Sequence, residues 1–407
     1  MHPVQHRIQQ LFRWMWFIFI IAGILCIPFH KVFPVFPLGL AGIAGSLSVL
    51  VAPQTISIKR QKNLFVAAAI FLIPLYTYLI SSNILQAKSD LEVKAALLII
   101  PLVVALMEPV RRFEWIWMQR ALIISCIAFI LTAIGIAGYK MVTEDYNAFN
   151  YKRLVAFTII HPAYLGMFIN FSIMILLFGW LGWSKAVFKL KSHWSLILIA
   201  ILFVFLVMLT AKNSVLFALL MFFIATIAYV RKSGNWKYAI GLGGGALMVF
   251  VLFLTFNSYT RERFSMLYRF NDVEYDNSVN SREETWKAAI EVLQNMPWYG
   301  LGSGDMQERL NEQYAVNGFT LGEEESHNAH NQFLQVTLEG GIPGIALLTF
   351  LLIYFFRLAF INRFWLYGGF LVLISFNLLT ESMLETQSGI LFFAVFNAVM
   401  LSRIASE

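Results

Sequence analysis

The chain has 407 residues, of which 59% are hydrophobic and only 13% charged, with a formal net charge of +7. A soluble domain carries about 25% charged residues, so most of this chain is dissolved in lipid rather than water. That excludes a soluble enzyme, and the positions of the basic residues exclude nucleic acid as the explanation of the charge, because they track membrane orientation.

Apolar runs of bilayer-crossing length recur from the first residues onward. The first, near 14–29, follows Arg7 and Arg13. Pro28, His30 and Lys31 stand where a small-residue cleavage site would be, so it reads as a retained helix. Others follow near 33–52, 64–82, 93–107, 117–138, 163–183, 194–211, 214–230, 238–256, 342–360, 364–380 and 387–402. The expected architecture is an all-α integral membrane protein of about twelve transmembrane helices. Helices one to nine fill residues 1–256, one large outward loop fills 257–341, and helices ten to twelve fill 342–407. Cys26 and Cys126 lie inside apolar runs and read as small buried hydrophobes.

Orientation follows from charge. With the N-terminus in the cytoplasm, the inner segments hold 17 of the 30 basic residues and three of the 23 acids, as the positive-inside rule requires. Both termini are then cytoplasmic, and the 257–341 loop faces out. Three separated places on the outer side carry cations near headgroup level: Lys212 between two apolar runs, Tyr151-Lys152-Arg153 with His161-Pro162, and the large loop itself. That pattern suits a ligand whose phosphates lie at the membrane surface.

The loop has legible parts. Ser281-Arg282-Glu283-Glu284 reads as a capping box with Ser281 as N-cap, followed by an apolar stripe of Trp286, Ala289, Ile290 and Leu293. Met296-Pro297 ends that helix. Gly300, Gly302 and Gly304 form a turn that could cradle a phosphate, although no strand precedes it and no Lys-Ser/Thr follows. Asp305 caps a second helix through about Ala315. His327 and His330 are spaced i, i+3, as in a metal pair, but have no cysteine or third histidine beside them. Neither metal nor cofactor is therefore expected. His330 precedes an amphipathic run into the tenth membrane helix.

These stretches resemble the O-antigen ligase and polymerase superfamily of bacterial membrane glycosyltransferases. Arg282-x3-Trp286 with Pro297-x-x-Gly300-x-Gly302-x-Gly304 is similar to its Arg-x3-Trp helix and glycine turn. His330-Asn331 leading to Gly341-Ile342-Pro343-Gly344 is similar to its His-Asn motif. His161-Pro162-Ala163-Tyr164-Leu165-Gly166 is similar to a mid-chain element, and Lys212 falls where the family has arginine. Arg263 begins an Arg-x3-Leu run, to Leu267, similar to one in the ligases.

The resemblance implies a bacterial inner-membrane enzyme with a periplasmic loop. It would move a glycan from undecaprenyl pyrophosphate to a lipid A-core acceptor (ligase) or to another lipid-linked glycan (polymerase), without metal and with inversion. His330 would be the base. Arg282, Lys212, Arg263 and Arg153 would bind pyrophosphate, and His161, His327 and Asn331 would support them. Moderate length and a single long loop favour ligase. A chain ending at Glu407, with no sizeable C-terminal region, disfavours a protein glycosyltransferase. A glycan or lipid transporter is the competing class; it would carry charges in mid-membrane and paired broken helices.

Overall fold

A computed structural model describes residues 3–51, 58–144, 147–188, 190–234, 236, 240–265 and 278–405. The described residues contain helices and no strand. Among the described residues the apolar runs named above are helical, with 64–82 divided among Ile58–Ala68, Ala69–Phe71 and Leu72–Ile80 and 93–107 between Ile84–Lys94 and Ala96–Leu106. Among the described residues seven helices are long and apolar enough to cross a membrane, or eight if Gly241–Phe256 and Ser258–Ser265, bent by 100°, form one span. Val35–Val51, Ser192–Met208 and Trp365–Leu378 are shorter apolar helices.

The chain divides into two compact units. One comprises Met1–Phe19, Pro37–Arg112 and Phe270–Glu407, the other Ile20–Phe36 and Phe113–Arg269. The 257–341 segment is thus shared between them.

The second unit is built on Pro162–Leu181, which is buried without interruption from Tyr164 to Phe178. A helix apolar on every side belongs in the middle of a bundle. Pro162 opens it with a preset φ, the Nδ1 of His161 accepts the Ala163 amide at 3.3 Å, and Gly182 closes it in the left-handed conformation (φ 72).

In the first unit Gln387–Ile404 plays the same central part, with residues 388–402 all buried. Gln332–Ile361, which packs against Trp365–Leu378 and Leu72–Ile80, breaks at Gly341 (φ 56, ψ −150). The break has a clear cause and a clear remedy. Pro343 has no N–H for the Glu339 carbonyl, and the Ile342 amide leaves the helix for the Trp298 carbonyl at 2.9 Å. The two freed carbonyls, Leu338 and Glu339, accept the amides of Leu301 and Gly302 at 2.9 and 2.8 Å. An unsatisfied carbonyl costs several kcal/mol away from water, so the glycine turn is the piece that makes the kink tolerable. Gly300 (φ 95) must be glycine here on a second count, because a side chain would collide with the Glu339 carbonyl.

The same bonds decide what the turn is not. The Gly300 amide goes to Pro297, that of Ser303 to Thr77, and that of Gly304 to the Ser81 hydroxyl. With the amides from Gly300 to Gly304 spent on protein oxygens, none is left to cradle a phosphate.

Two expectations for the loop need correction. The helix predicted to start at Ser281 runs Ser278–Asn295, so Ser281 lies inside it and its carbonyl accepts from the Thr285 hydroxyl at 2.7 Å. Its buried face is Thr285, Ala288, Ala289 and Val292, while Ile290 is exposed. The alanines let Met306, Leu310 and Tyr314 of the Met306–Val316 helix close onto it. Asp305 does precede that helix, but its carboxylate caps nothing there. It accepts the Ser82 and Asn83 amides at 2.6 and 3.0 Å, tying the loop to the end of the Leu72–Ile80 helix. Leu267, the end of the Arg263 run, lies outside the described residues.

Candidate functional site

His330 stands two residues before the Gln332–Ile361 helix rather than at its first turn. It adopts a left-handed backbone (φ 44), which a non-glycine residue holds only when its surroundings impose it. The surroundings do. Its amide donates to the Asn328 side chain at 2.9 Å, and the Ala329 amide donates to Gln335 Oε1 at 3.1 Å. Asn331 is the N-cap, accepting the amides of Phe333 and Leu334 at 2.9 and 3.2 Å. Asn331 therefore positions the chain.

The imidazole meets a carboxylate that sequence did not offer. His330 Nδ1 lies 3.3 Å from Glu381 Oε2, and the other oxygen of Glu381 is ion-paired with Arg282 Nη2. Glu381 is 8% exposed at its side chain. A carboxylate accepting from Nδ1–H fixes the tautomer and leaves the Nε2 lone pair as the proton acceptor. Among the described residues no group bonds that Nε2. His327 differs: its Nε2 faces Glu325 at 3.0 Å and its Nδ1 faces Ser281 Oγ at 3.4 Å. Both of its nitrogens are occupied, which separates it from His330 although their rings are only 5.6 Å apart. Beneath them the Tyr314 hydroxyl donates to the His327 carbonyl at 3.0 Å, and burial pushes that phenol above its ordinary pKa.

Deeper in the same unit lies a second charged layer. Lys94, 5% exposed, is ion-paired with Glu385 and sits 3.3 Å from Glu339. Asp90 interacts electrostatically with Lys94 and Glu385; burial raises its carboxyl above the ordinary range, against the pull of Lys94. Glu381 and Glu385 stand four residues apart on the short connection between Trp365–Leu378 and Gln387–Ile404.

Of the residues singled out by sequence, Arg282, His327, His330 and Asn331 come together here. The other four belong to the second unit. Lys212 is buried at the start of Lys212–Ser233. The Arg263 guanidinium stacks 3.8 Å over the Tyr151 ring, a favourable cation–π contact. Arg153 is exposed on the Tyr151–Leu154 turn. His161 caps a helix as described above.

Residues 197–349 match the family model described as O-antigen ligase (Wzy_C). That region resembles the O-antigen ligase family. It contains Lys212, Arg263, Arg282 and His330, whereas Lys94, Glu381 and Glu385 lie outside it. No curated protein matches the chain. The apolar helices point to a multi-pass membrane protein, and the match supports a function of the ligase or polymerase type.

Glu381, Glu385, Lys94 and Glu339 are what sequence reasoning missed. A signal was available: Lys94 and Glu339 border apolar runs, where ionisable residues are costly and functional by default.

Proposed function

We propose that this chain is an O-antigen ligase-type glycosyltransferase, moving a glycan from undecaprenyl pyrophosphate to a lipid A-core acceptor at the outer face of a bacterial inner membrane. The convergence of His330 and Arg282 on Glu381 carries the proposal. His330 Nε2 takes the proton of the acceptor hydroxyl as its oxygen attacks the anomeric carbon. The bond from that carbon to the pyrophosphate oxygen breaks, and the pyrophosphate leaves with the electron pair, inverting the configuration. Glu381 holds the imidazole in the required tautomer and stabilises the imidazolium that forms. Arg282 spends one Nη2–H on Glu381 and has further N–H donors for the departing phosphates. Lys212, Arg263 and Arg153 are proposed as additional pyrophosphate contacts on charge and sequence position. Lysine at 212 supplies charge without the bidentate fork of arginine.

Purified protein in liposomes, given lipid-linked glycan and lipopolysaccharide core without nucleotide, is expected to yield core carrying new polymer. Lengthened lipid-linked chains would instead make it a polymerase. Glycan carried across the bilayer with no new bond would overturn the enzyme assignment.

The proposed topology has twelve spans and cytoplasmic termini. An alkaline phosphatase fusion at about residue 315 is expected to be active, and an inactive, stably expressed fusion would reverse the orientation.

A further inference from the structure

We propose that Lys94 is the node of a buried clamp that sets the position of His330 against Glu381. The proposal rests on the transfer mechanism above for its catalytic consequence, but its structural content is independent of it. Lys94 pairs with two carboxylates, and each is relayed by a glutamine to a backbone amide of the catalytic segment. On one arm Glu339 accepts from Gln335 Nε2 at 2.7 Å, and Gln335 Oε1 accepts the amide of Ala329, the residue before His330. On the other arm Glu385 accepts from Gln332 Nε2 at 2.7 Å, and Gln332 Oε1 accepts the Leu384 amide at 2.7 Å, three residues after Glu381.

The two arms have the same order: ammonium, carboxylate, glutamine, amide. Every side chain in them except that of Glu385 belongs to a residue at most 5% exposed. Gln332, Gln335 and Glu339 fall at i, i+3 and i+7, on one face of the helix.

Such a cluster is poorly explained as a source of stability. Removing ions from water is costly, and a well-packed apolar group of equal volume commonly serves packing as well. What the charged arrangement adds is direction. Glutamine side chains at fixed ends of two arms leave the Ala329 and Leu384 amides one position each. His330 needs this, because its left-handed backbone is held by its surroundings. Glu381 needs it because the connection carrying it is short and irregular. Lys94 touches neither the imidazole nor a reacting atom; it acts through the segments that carry them, as a positioning residue.

Lys94→Met removes the charge and keeps much of the stem. It is expected to lower kcat for glycan transfer at least ~10-fold while donor KM stays within about 3-fold, the split produced by misaligning a reacting group rather than weakening binding. Deuterium exchange of the membrane-embedded protein is expected to speed up in peptides spanning 326–331 and 381–386 and to stay unchanged in 306–316, as local opening requires. Unchanged exchange in both segments, or a uniform rise everywhere, would overturn the clamp. The expected exchange pattern in a protein whose wild type transfers no glycan would keep the clamp and sink the enzymatic reading.

Should Lys94→Met fail to fold, Gln335→Leu and Gln332→Leu each cut one arm. Gln335→Leu is expected to accelerate exchange only at 326–331, and Gln332→Leu only at 381–386. The same response from both variants, or none from either, would refute independent arms.

Discussion

His330→Ala is expected to lower the rate of glycan transfer by about 10²–10⁴-fold, the range attributed to a positioned general base, with normal membrane insertion. The separation of chemistry from folding follows from how the residue is held. Its backbone is fixed by Asn328, Asn331 and the Gln335 bond to Ala329, none of which involves the imidazole. The ring itself is only partly covered, with 30% of the side chain exposed. Loss of the ring leaves Glu381 still paired with Arg282, so no buried charge is stranded. His327→Ala is the matched control: both of its nitrogens are spent within the loop, so its deletion should cost less than about 10-fold in rate. The measurement is the initial rate of transfer at equal amounts of reconstituted protein. A His330→Ala protein working at near wild-type rate would remove the proposed base.

Much of this was legible in the sequence, and the failures share one cause. Apolar runs specify helices because the backbone must satisfy itself in lipid, and among the described residues the runs are helical. Proline and glycine marked the end of the Ser278–Asn295 helix and the turn after it, and Asp305 marked the start of the next. What sequence could not give was the partner of each polar group. Asp305 looked like a cap, but its carboxylate accepts amides some 220 residues away. The amides of the glycine turn looked available for phosphate, but the Gly341 break frees carbonyls that take those of Leu301 and Gly302. Glu381 is 51 residues from His330 and 99 from Arg282. In a short connection between apolar helices such an acid reads as solvated surface. Local pattern specifies elements; the pairing of charges depends on which helix ends meet, and that information is non-local.

Glu381→Gln is the substitution whose effect should most exceed its size. Shape is preserved, but two electrostatic roles are lost together. The amide can turn either face to His330. With its NH₂ toward Nδ1, it donates to that nitrogen and moves the ring proton to Nε2, the atom that must accept from the acceptor hydroxyl. Converting the orienting carboxylate of a Ser-His-Asp triad to an amide costs about 10⁴-fold by the same tautomer error, so a loss on the order of 10²-fold or more in kcat is expected here. Donor KM should fall or stay level, because Arg282, released from its ion pair, presents more of its guanidinium to phosphate. The decisive comparison is the double variant with His330→Ala. If Glu381 acts through the imidazole, Glu381→Gln adds almost nothing to a protein already lacking His330, and the two losses are strongly non-additive. Additive losses would mean that Glu381 serves Arg282 or the fold and not the histidine, and the pair would no longer be a catalytic unit.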